Sequence, residues 1–402
     1  MSSLTARRSR TAVAFVLTLL AVELLDEFVF GAREAAWPLV RDSLGLTYAQ
    51  IGLLLGVPEL VATFIEPAIG VLGDTWNRRV LVLGGGVCFA LSCALVALSH
   101  SFLPLMVAFV VFYPSSGAFV NLSQAALMDH QPTRHEQNMA RWTLAGSLGV
   151  VLGSLSLGAF VQVGLGWEAL YWFLAVATLV VVVAAWQFRF PTPNAESEER
   201  ISFVQGMKNA LAALRRRDLL RWLVLLEFSD LMLDILLGYL ALYCVDVAHV
   251  SEAEAGLAVA VWTGIGLLGD VLLIPLLERV RGLDYLRVSA VIELVLFVSF
   301  LLVPSFGVKL VLLGLLGFFN SGWYSILQGQ VYSAMPGQSG TVMTVHNFFG
   351  VVGGLLPLSI GLAAEHFGLG AAMWLLLLGP LALLVGLPRR GRDEGRGMRD
   401  EG

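Results

Sequence analysis

Apolar stretches long enough to cross a lipid bilayer recur along this chain, and they leave it few ways to fold. A helix needs about 20 mostly apolar residues to pass through a hydrocarbon core of ~30 Å. Twelve segments fit that template, at roughly 12–40, 47–70, 79–99, 103–128, 138–164, 167–189, 219–247, 252–278, 285–304, 308–334, 338–365 and 369–388. Composition closes off the soluble alternative. Hydrophobic residues are 57% of the 402 and charged residues 14%, with a mean hydropathy of +0.79. A water-soluble fold of this size could not cover so much apolar surface. The expected class is an all-α integral membrane protein with twelve transmembrane helices in two six-helix halves.

Charge placement orients the spans. Of 25 Lys and Arg, 22 fall in segments on the N-terminal side of the membrane, among them Arg7, Arg8, Arg10, Arg134, Arg215 and the tail beyond Arg389. Arg33 lies within a span, and only Arg41 and Lys309 fall on the opposite side. The positive-inside rule then puts both termini in the cytoplasm of a multi-pass plasma (inner) membrane protein. The basic start resembles a signal peptide, but Glu23, Asp26 and Glu27 interrupt the apolar run without a cleavage site. It is read as a retained first helix.

One connection is long and polar. It opens with Pro191, Pro193 and Glu196 and closes with an amphipathic piece carrying Lys208 and Arg215 to Arg217, which reads as a tether on the cytoplasmic surface. The expected organisation is a six-helix half over 1–189, a linker over 190–218, a second six-helix half over 219–388 and a cytoplasmic tail over 389–402. An internal repeat supports the division. Shifting the first half by 204 residues places Glu23 on Glu227, Asp26 on Asp230, Gly52 on Gly256, Glu66 on Asp270 and Asp74 on Glu278. Ser116-Gly117 falls on Ser321-Gly322 at a slightly different offset. Acids inside apolar helices are rare, so these matches outweigh coincidences of Leu or Gly. Parallel repeats of six helices place a substrate between them near the bilayer midplane.

Between the second and third spans the chain reads Gly70-Val71-Leu72-Gly73-Asp74-Thr75-Trp76-Asn77-Arg78-Arg79. Glycines at 70 and 73 allow close helix approach, and Asn77 tolerates a left-handed backbone. Gly70, Asp74, Arg78 and Arg79 at this spacing resemble the loop signature of the major facilitator superfamily, with Asn77 where that family has a second glycine. The resemblance covers the whole chain and implies the major facilitator fold. It also implies that Asp74 holds the cytoplasmic side closed, with Arg141 as a candidate partner. Trp37-Pro38 resembles the family's usual end of the first helix, while the Gly-Pro pair of its antiporters is here Gly153-Ser154. Leu46-Thr47-Tyr48-Ala49-Gln50-Ile51-Gly52-Leu53-Leu54-Leu55, followed by Pro67, is similar to the fosmidomycin-resistance type of efflux protein, which implies drug export against protons.

Charges at mid-membrane cost ~2.5–3.5 kcal/mol each on insertion scales, and away from the span ends eleven acids, in helices one, two, seven, eight and nine, stand against the single base Arg33. Asp26, Phe30, Arg33 and Trp37, at steps of four, three and four, share one helix face. Adjacent Arg33 and Glu34 point apart, so Arg33 is expected to find a carboxylate on another helix, with Glu59 the candidate. Glu227, Asp230 and Asp234 form one acidic face, and like charges so close in low dielectric cannot all ionise. A carboxylate that gains and loses a proton is what proton coupling requires. Asp26 and Asp230 are the expected carriers, Asp234 and Glu59 the reserves, and Arg33 their organiser. The bland account is that such charges only lock helices together.

Neutral polar and aromatic groups complete a candidate substrate cavity: Asn121, Gln124, Asn320, Trp323, Tyr324, Gln328, His346 and Asn347, with Glu27, Phe30, Trp37 and Glu293. Glu66 and Asp270, each just ahead of a charged turn, are assigned with Gly70, Asp74, Arg78, Arg79, Glu278 and Arg141 to an inner gate. Cys88, Cys93 and Cys244 lie in apolar runs and suggest neither disulfides nor a metal centre. The chain has no Gly-x-x-x-x-Gly-Lys-Ser/Thr phosphate loop. The expectation is a monomeric secondary transporter in the bilayer, with no catalytic residues, cofactor, metal or nucleic-acid partner, moving a small organic compound and protons by alternating access. Two other readings stay open: a proton-coupled metabolite importer, and a membrane sensor or scaffold on the same fold.

Overall fold

A computed structural model describes residues 2–75, 77–130, 135–190, 216–277, 279–334 and 353–388. Among these residues the chain forms helices joined by short turns and no strand. The first half of the chain gives α1 (Ser2–Leu44), α2 (Tyr48–Thr75), α3 (Arg78–Ala97), α4 (Phe102–Ser116), α5 (Leu122–His130), α6 (His135–Gln162) and α7 (Trp167–Trp186). The second half gives α8 (Arg217–Asp230), α9 (Asp234–Asp246), α10 (Glu252–Leu277), α11 (Gly282–Leu302), α12 (Phe306–Asn320), α13 (Trp323–Ala334) and α14 (Leu356–Phe367). A last pass runs through α15 (Leu369–Ala372), a 3-10 turn at Met373–Leu377 and α16 (Leu378–Gly386). Nine stretches among the described residues are long and apolar enough to cross a membrane. The other three expected passes are α1, which carries Glu23, Asp26 and Glu27 in one stretch, the broken pair α8–α9, and α14, whose preceding residues lie outside the described set. The fold is all-helical and membrane-embedded, consistent with twelve passes.

Besides the last pass, three passes among the described residues are not simple helices. The fourth changes from α4 through a π-turn at Gly117–Asn121 into α5. The seventh breaks between α8 and α9, and the tenth breaks at Ser321-Gly322, where Gly322 has φ +78°. Apolar periodicity cannot show such breaks, because hydrophobicity runs through them unchanged.

Small residues set the packing. A Cβ on Gly31 would stand 2.1 Å from the Val150 carbonyl oxygen, and one on Gly153 2.1 Å from that of Phe28. α1 and α6 therefore touch backbone to backbone, as membrane helices do where bulk is removed. Ser154, where the family's antiporters have proline, donates to the carbonyls of Val150 at 2.8 Å and Gly31 at 3.3 Å. On the outer faces Leu302, Val311 and Val385 are exposed, as a surface solvated by lipid tails requires.

Contacts between the two halves of the chain gather at the end opposite the N-terminus. Gly52 of α2 lies against the Pro357 carbonyl of α14, and Gly256 of α10 lies against the Ser154 carbonyl of α6. Gly56 and Gly361 extend the α2–α14 contact, at the carbonyls of Gly354 and Tyr48. Arg41 pairs with Asp42 and with Asp246 across the halves, and the Tyr48 hydroxyl donates to Asp246 Oδ2 at 2.7 Å. That end is closed.

Candidate functional site

The sequence separates the helix-one acids by stripe, and the structure gives each stripe a different neighbour. Glu23 and Glu27 face α6: a Cβ on Gly146 would meet Glu23 Oε1 at 2.7 Å and Glu27 Cγ at 3.2 Å. Asp26, 5% exposed, accepts a hydrogen bond of 2.8 Å from the Ser116 hydroxyl at the end of α4. Arg33 lies deeper, 8% exposed, with its guanidinium 4.6 Å over the Phe30 ring.

The partner of Arg33 differs from the expected one. Its Nε donates to Glu34 Oε1 at 2.8 Å, a second nitrogen bonds the same oxygen, and Nη1 donates to the Tyr113 hydroxyl at 2.6 Å. Cα–Cβ bonds of adjacent helical residues do diverge, but the long arginine stem folds sideways and brings its head back to Glu34. Trp37 Nε1 holds the other Glu34 oxygen at 3.1 Å. The arginine, two rings and a carboxylate thus form one buried unit, and Glu59 is left to other neighbours.

Those neighbours come from both halves of the chain. Asp234 of α9 is within electrostatic reach of Glu27, Glu34, Arg33 and Glu59. Asp230 feels Asp234, Glu59 and Glu227. Glu59 and Asp234 are exposed, and Glu27, Glu227 and Asp230 are half-buried. Acids at this depth with solvent access face a cleft, because facing lipid would be prohibitive. The cleft is strongly acidic, and the Arg33 guanidinium beside it is already bonded.

The neutral groups divide. Asn121 and Tyr324 are exposed, and Phe30, Gln124 and Gln328 are half-buried. Gln328 Oε1 is buried without a hydrogen-bond partner. Trp37 is 1% exposed and Trp323 wholly buried, its Nε1 donating to Ser289 Oγ at 2.8 Å. Asn320 is buried and donates to the Met232 carbonyl at 3.1 Å, so it ties the break of the tenth pass to that of the seventh. Glu293 is wholly buried in α11, with both carboxylate oxygens unpartnered. His346 and Asn347 lie outside the described residues.

At the other end, Arg78 is buried and donates to Asp129 Oδ2 at 2.5 Å and to the Gly73 carbonyl at 3.3 Å, while Arg79 reaches the Trp186 carbonyl. The basic pair thereby holds the start of α3 to α5 and α7. Asn77 does not use a left-handed backbone: at φ −76° it caps α3, its side chain accepting from the Val80 N–H. Gly73 packs on Leu122, whereas Gly70 has nothing within 4 Å. Arg141 is exposed, and the Asp74 side chain and Glu278 lie outside the described set. Sequence reasoning missed Tyr113, Ser116, Asp129 and Asp246. Asp129 and Asp246 were legible as acids at span ends and Ser116 only as a repeat match; nothing marked Tyr113.

The family model described as Major Facilitator Superfamily matches residues 19–358. The chain is similar to the fosmidomycin resistance protein of Escherichia coli, 24% identical over 89% of this chain and 88% of that one. It is also similar to a chloramphenicol resistance protein of Pseudomonas aeruginosa, 28% identical over 54% of this chain and 50% of the other. Among solved structures, a bacterial homolog of the human lysosomal transporter Spinster, inward-facing and unoccupied, superposes with a TM-score of 0.71, 17% identity and 94% coverage of both chains. The nucleoside transporter NupG gives 0.72, at 14% identity over 93% of this chain and 97% of that one.

Proposed function

The chain belongs to the Major Facilitator Superfamily, whose members are membrane carriers of small molecules rather than enzymes, and from that premise we propose that it exports a small organic compound in exchange for protons. The observation that carries the reading is the acidic cleft shared by Glu27, Glu59, Glu227, Asp230 and Asp234, with Arg33 already engaged. Carboxylates from both halves that meet across one cleft repel one another when ionised, so taking up or giving up a proton biases how the halves sit. Asp26 and Asp230 take the protons, with Asp234 and Glu59 beside them, and the Arg33–Glu34–Tyr113 unit sets the local field.

With both termini in the cytoplasm, the closed end at Arg41, Tyr48 and Asp246 is the outer one, and the acids face the cytoplasm. Glu66, Arg78, Arg79 and Asp270 lie toward the inner side, where the halves would meet when the protein turns outward. The work is that of a single chain, divided at residues 190–218 into two rocking units. Resistance proteins among the relatives favour export of a toxic compound. The test is accumulation of a compound panel in cells with and without the protein, before and after the proton gradient is collapsed. Export predicts lower accumulation of at least one compound, restored when the gradient is lost. Higher accumulation that needs the gradient would make the protein an importer.

A further inference from the structure

Away from the acidic cleft, α8 of the seventh pass and α16 of the twelfth enclose an open groove with a volume of about 440 Å³. Arg217, Leu220, Arg221, Val224, Leu225 and Phe228 form one wall. Steps of three, one, three, one and three put them on a single face of α8. The other wall is narrow, because α16 contributes Ala382 and Gly386 with only Val385 between them in bulk. A Cβ on Gly386 would stand 2.4 Å from Leu225 Cδ2, so the two helices touch there. Val385 is 86% exposed, and Leu220 and Val224 are exposed too. The apolar walls are therefore open to lipid.

Polarity gathers at one end. Arg217 begins α8 and is exposed, and Arg221 follows one turn later. Arg221 Nε donates to the Gly386 carbonyl at 2.6 Å, which answers a carbonyl at the negative end of α16. That bond fixes the guanidinium at the groove and leaves it four more N–H donors. Among the described residues no carboxylate pairs with either arginine, and no acid lines the groove. Arg216 at the N-cap does not cap α8 with its side chain, and the positive end of that helix dipole adds to the two charges. From Arg217 to Phe228 the wall runs about 16 Å, close to half of a ~30 Å hydrocarbon core. The groove thus has the length of one leaflet, apolar inward and cationic at headgroup depth.

We propose that it is a binding site for an anionic phospholipid, with the headgroup phosphate between Arg217 and Arg221 and one acyl chain along Val224, Phe228 and Val385. Charge complementarity selects this occupant. Any lipid tail can cover the apolar walls, but two unpaired guanidinium forks at the phosphate level favour a net negative headgroup. A lipid held there bridges the seventh and twelfth passes at the start of the helix that carries Glu227 and Asp230. The inference needs the chain to sit in a membrane and is independent of substrate, direction and proton coupling.

The test titrates the full chain in detergent with phosphatidylglycerol or phosphatidylcholine and counts bound lipids by native mass spectrometry. The parent should bind phosphatidylglycerol more tightly than phosphatidylcholine. Arg217→Gln should weaken phosphatidylglycerol about fivefold, the weight of one arginine toward an anionic lipid surface, and leave phosphatidylcholine unchanged. Val385→Trp fills the groove with both arginines intact and should weaken phosphatidylglycerol as well. Arg279→Gln removes an exposed arginine outside the groove and should change nothing. Equal binding of the two lipids, or full phosphatidylglycerol binding by Arg217→Gln or Val385→Trp, would overturn the proposal. So would an equal loss in Arg279→Gln, which would mean diffuse surface charge. Displacement by soluble glycerol phosphate at the same concentration would make it a plain anion site, and a dimer mass in place of bound lipid would make it a contact between copies; either overturns the proposal.

Discussion

Arg33 is fastened by three residues, and the fastening explains how a guanidinium persists where lipid surrounds the bundle. Glu34 neutralises it, Tyr113 takes a third N–H, and Phe30 offers a ring face. Removing one partner of such a buried pair strands the other, which costs ~3–5 kcal/mol. Arg33→Ala should therefore destabilise the protein by about that much, and Arg33→Ala with Glu34→Ala should recover part of the loss. Unfolding in detergent, followed for both variants, checks this; equal losses would mean the pair is not coupled. The same unit shows the limit of reading residues from a helical wheel. The wheel places Cβ vectors and correctly grouped Asp26, Phe30, Arg33 and Trp37, but long side chains bend away from their vectors. Lys309 repeats the lesson. Counted as a loop charge, it is 3% exposed, with Nζ bonded to the Tyr243 hydroxyl at 2.9 Å and lying over the Phe300 ring.

Helices meet where the sequence removes side chains. Gly146, Gly149 and Gly153 of α6 all pack against α1. Bulk there has nowhere to go, since the obstacle at Gly153 is the Phe28 carbonyl and not a movable side chain. Gly153→Leu should cost at least the ~1–3 kcal/mol usual for overpacking, read as a lower unfolding temperature, whereas Gly84→Leu, with open space around it, should cost little. Equal costs would mean the α1–α6 contact is not tight. Existence and order of the helices were legible because apolar length is a strong signal. The π-turn at Gly117–Asn121 and the breaks at 231–233 and Ser321-Gly322 were not. They depend on a few backbone hydrogen bonds diverted to partners such as Tyr285 and Asn320, which come from distant parts of the chain.

The molecule as a whole carries an asymmetry: one end bonded shut by Arg41, Tyr48 and Asp246, and acids open to solvent deeper in. The repeat pairs Asp26 with Asp230 in sequence alone, and no single-helix pattern could foretell that Asp234 comes within electrostatic reach of Glu27 and Glu59 from the other half of the chain, because packing brings them there. Topology is open to a direct check. A thiol at exposed Ser305, four residues before the buried Lys309, should react with an impermeant reagent from outside, and one at exposed Arg217 should not; the reverse pattern would invert the orientation. The central claim is exchange of a compound for protons through Asp26 and Asp230, and it meets its most direct test in proteoliposomes carrying an imposed pH gradient. Gradient-driven movement and exchange at equal pH are measured in parallel, with a compound that the cellular panel identifies. The parent should show both, while Asp26→Asn and Asp230→Asn, fixed in the neutral form, should lose the driven movement and keep exchange. A parent indifferent to the gradient, or both Asn variants pumping at the parent rate, would contradict the account.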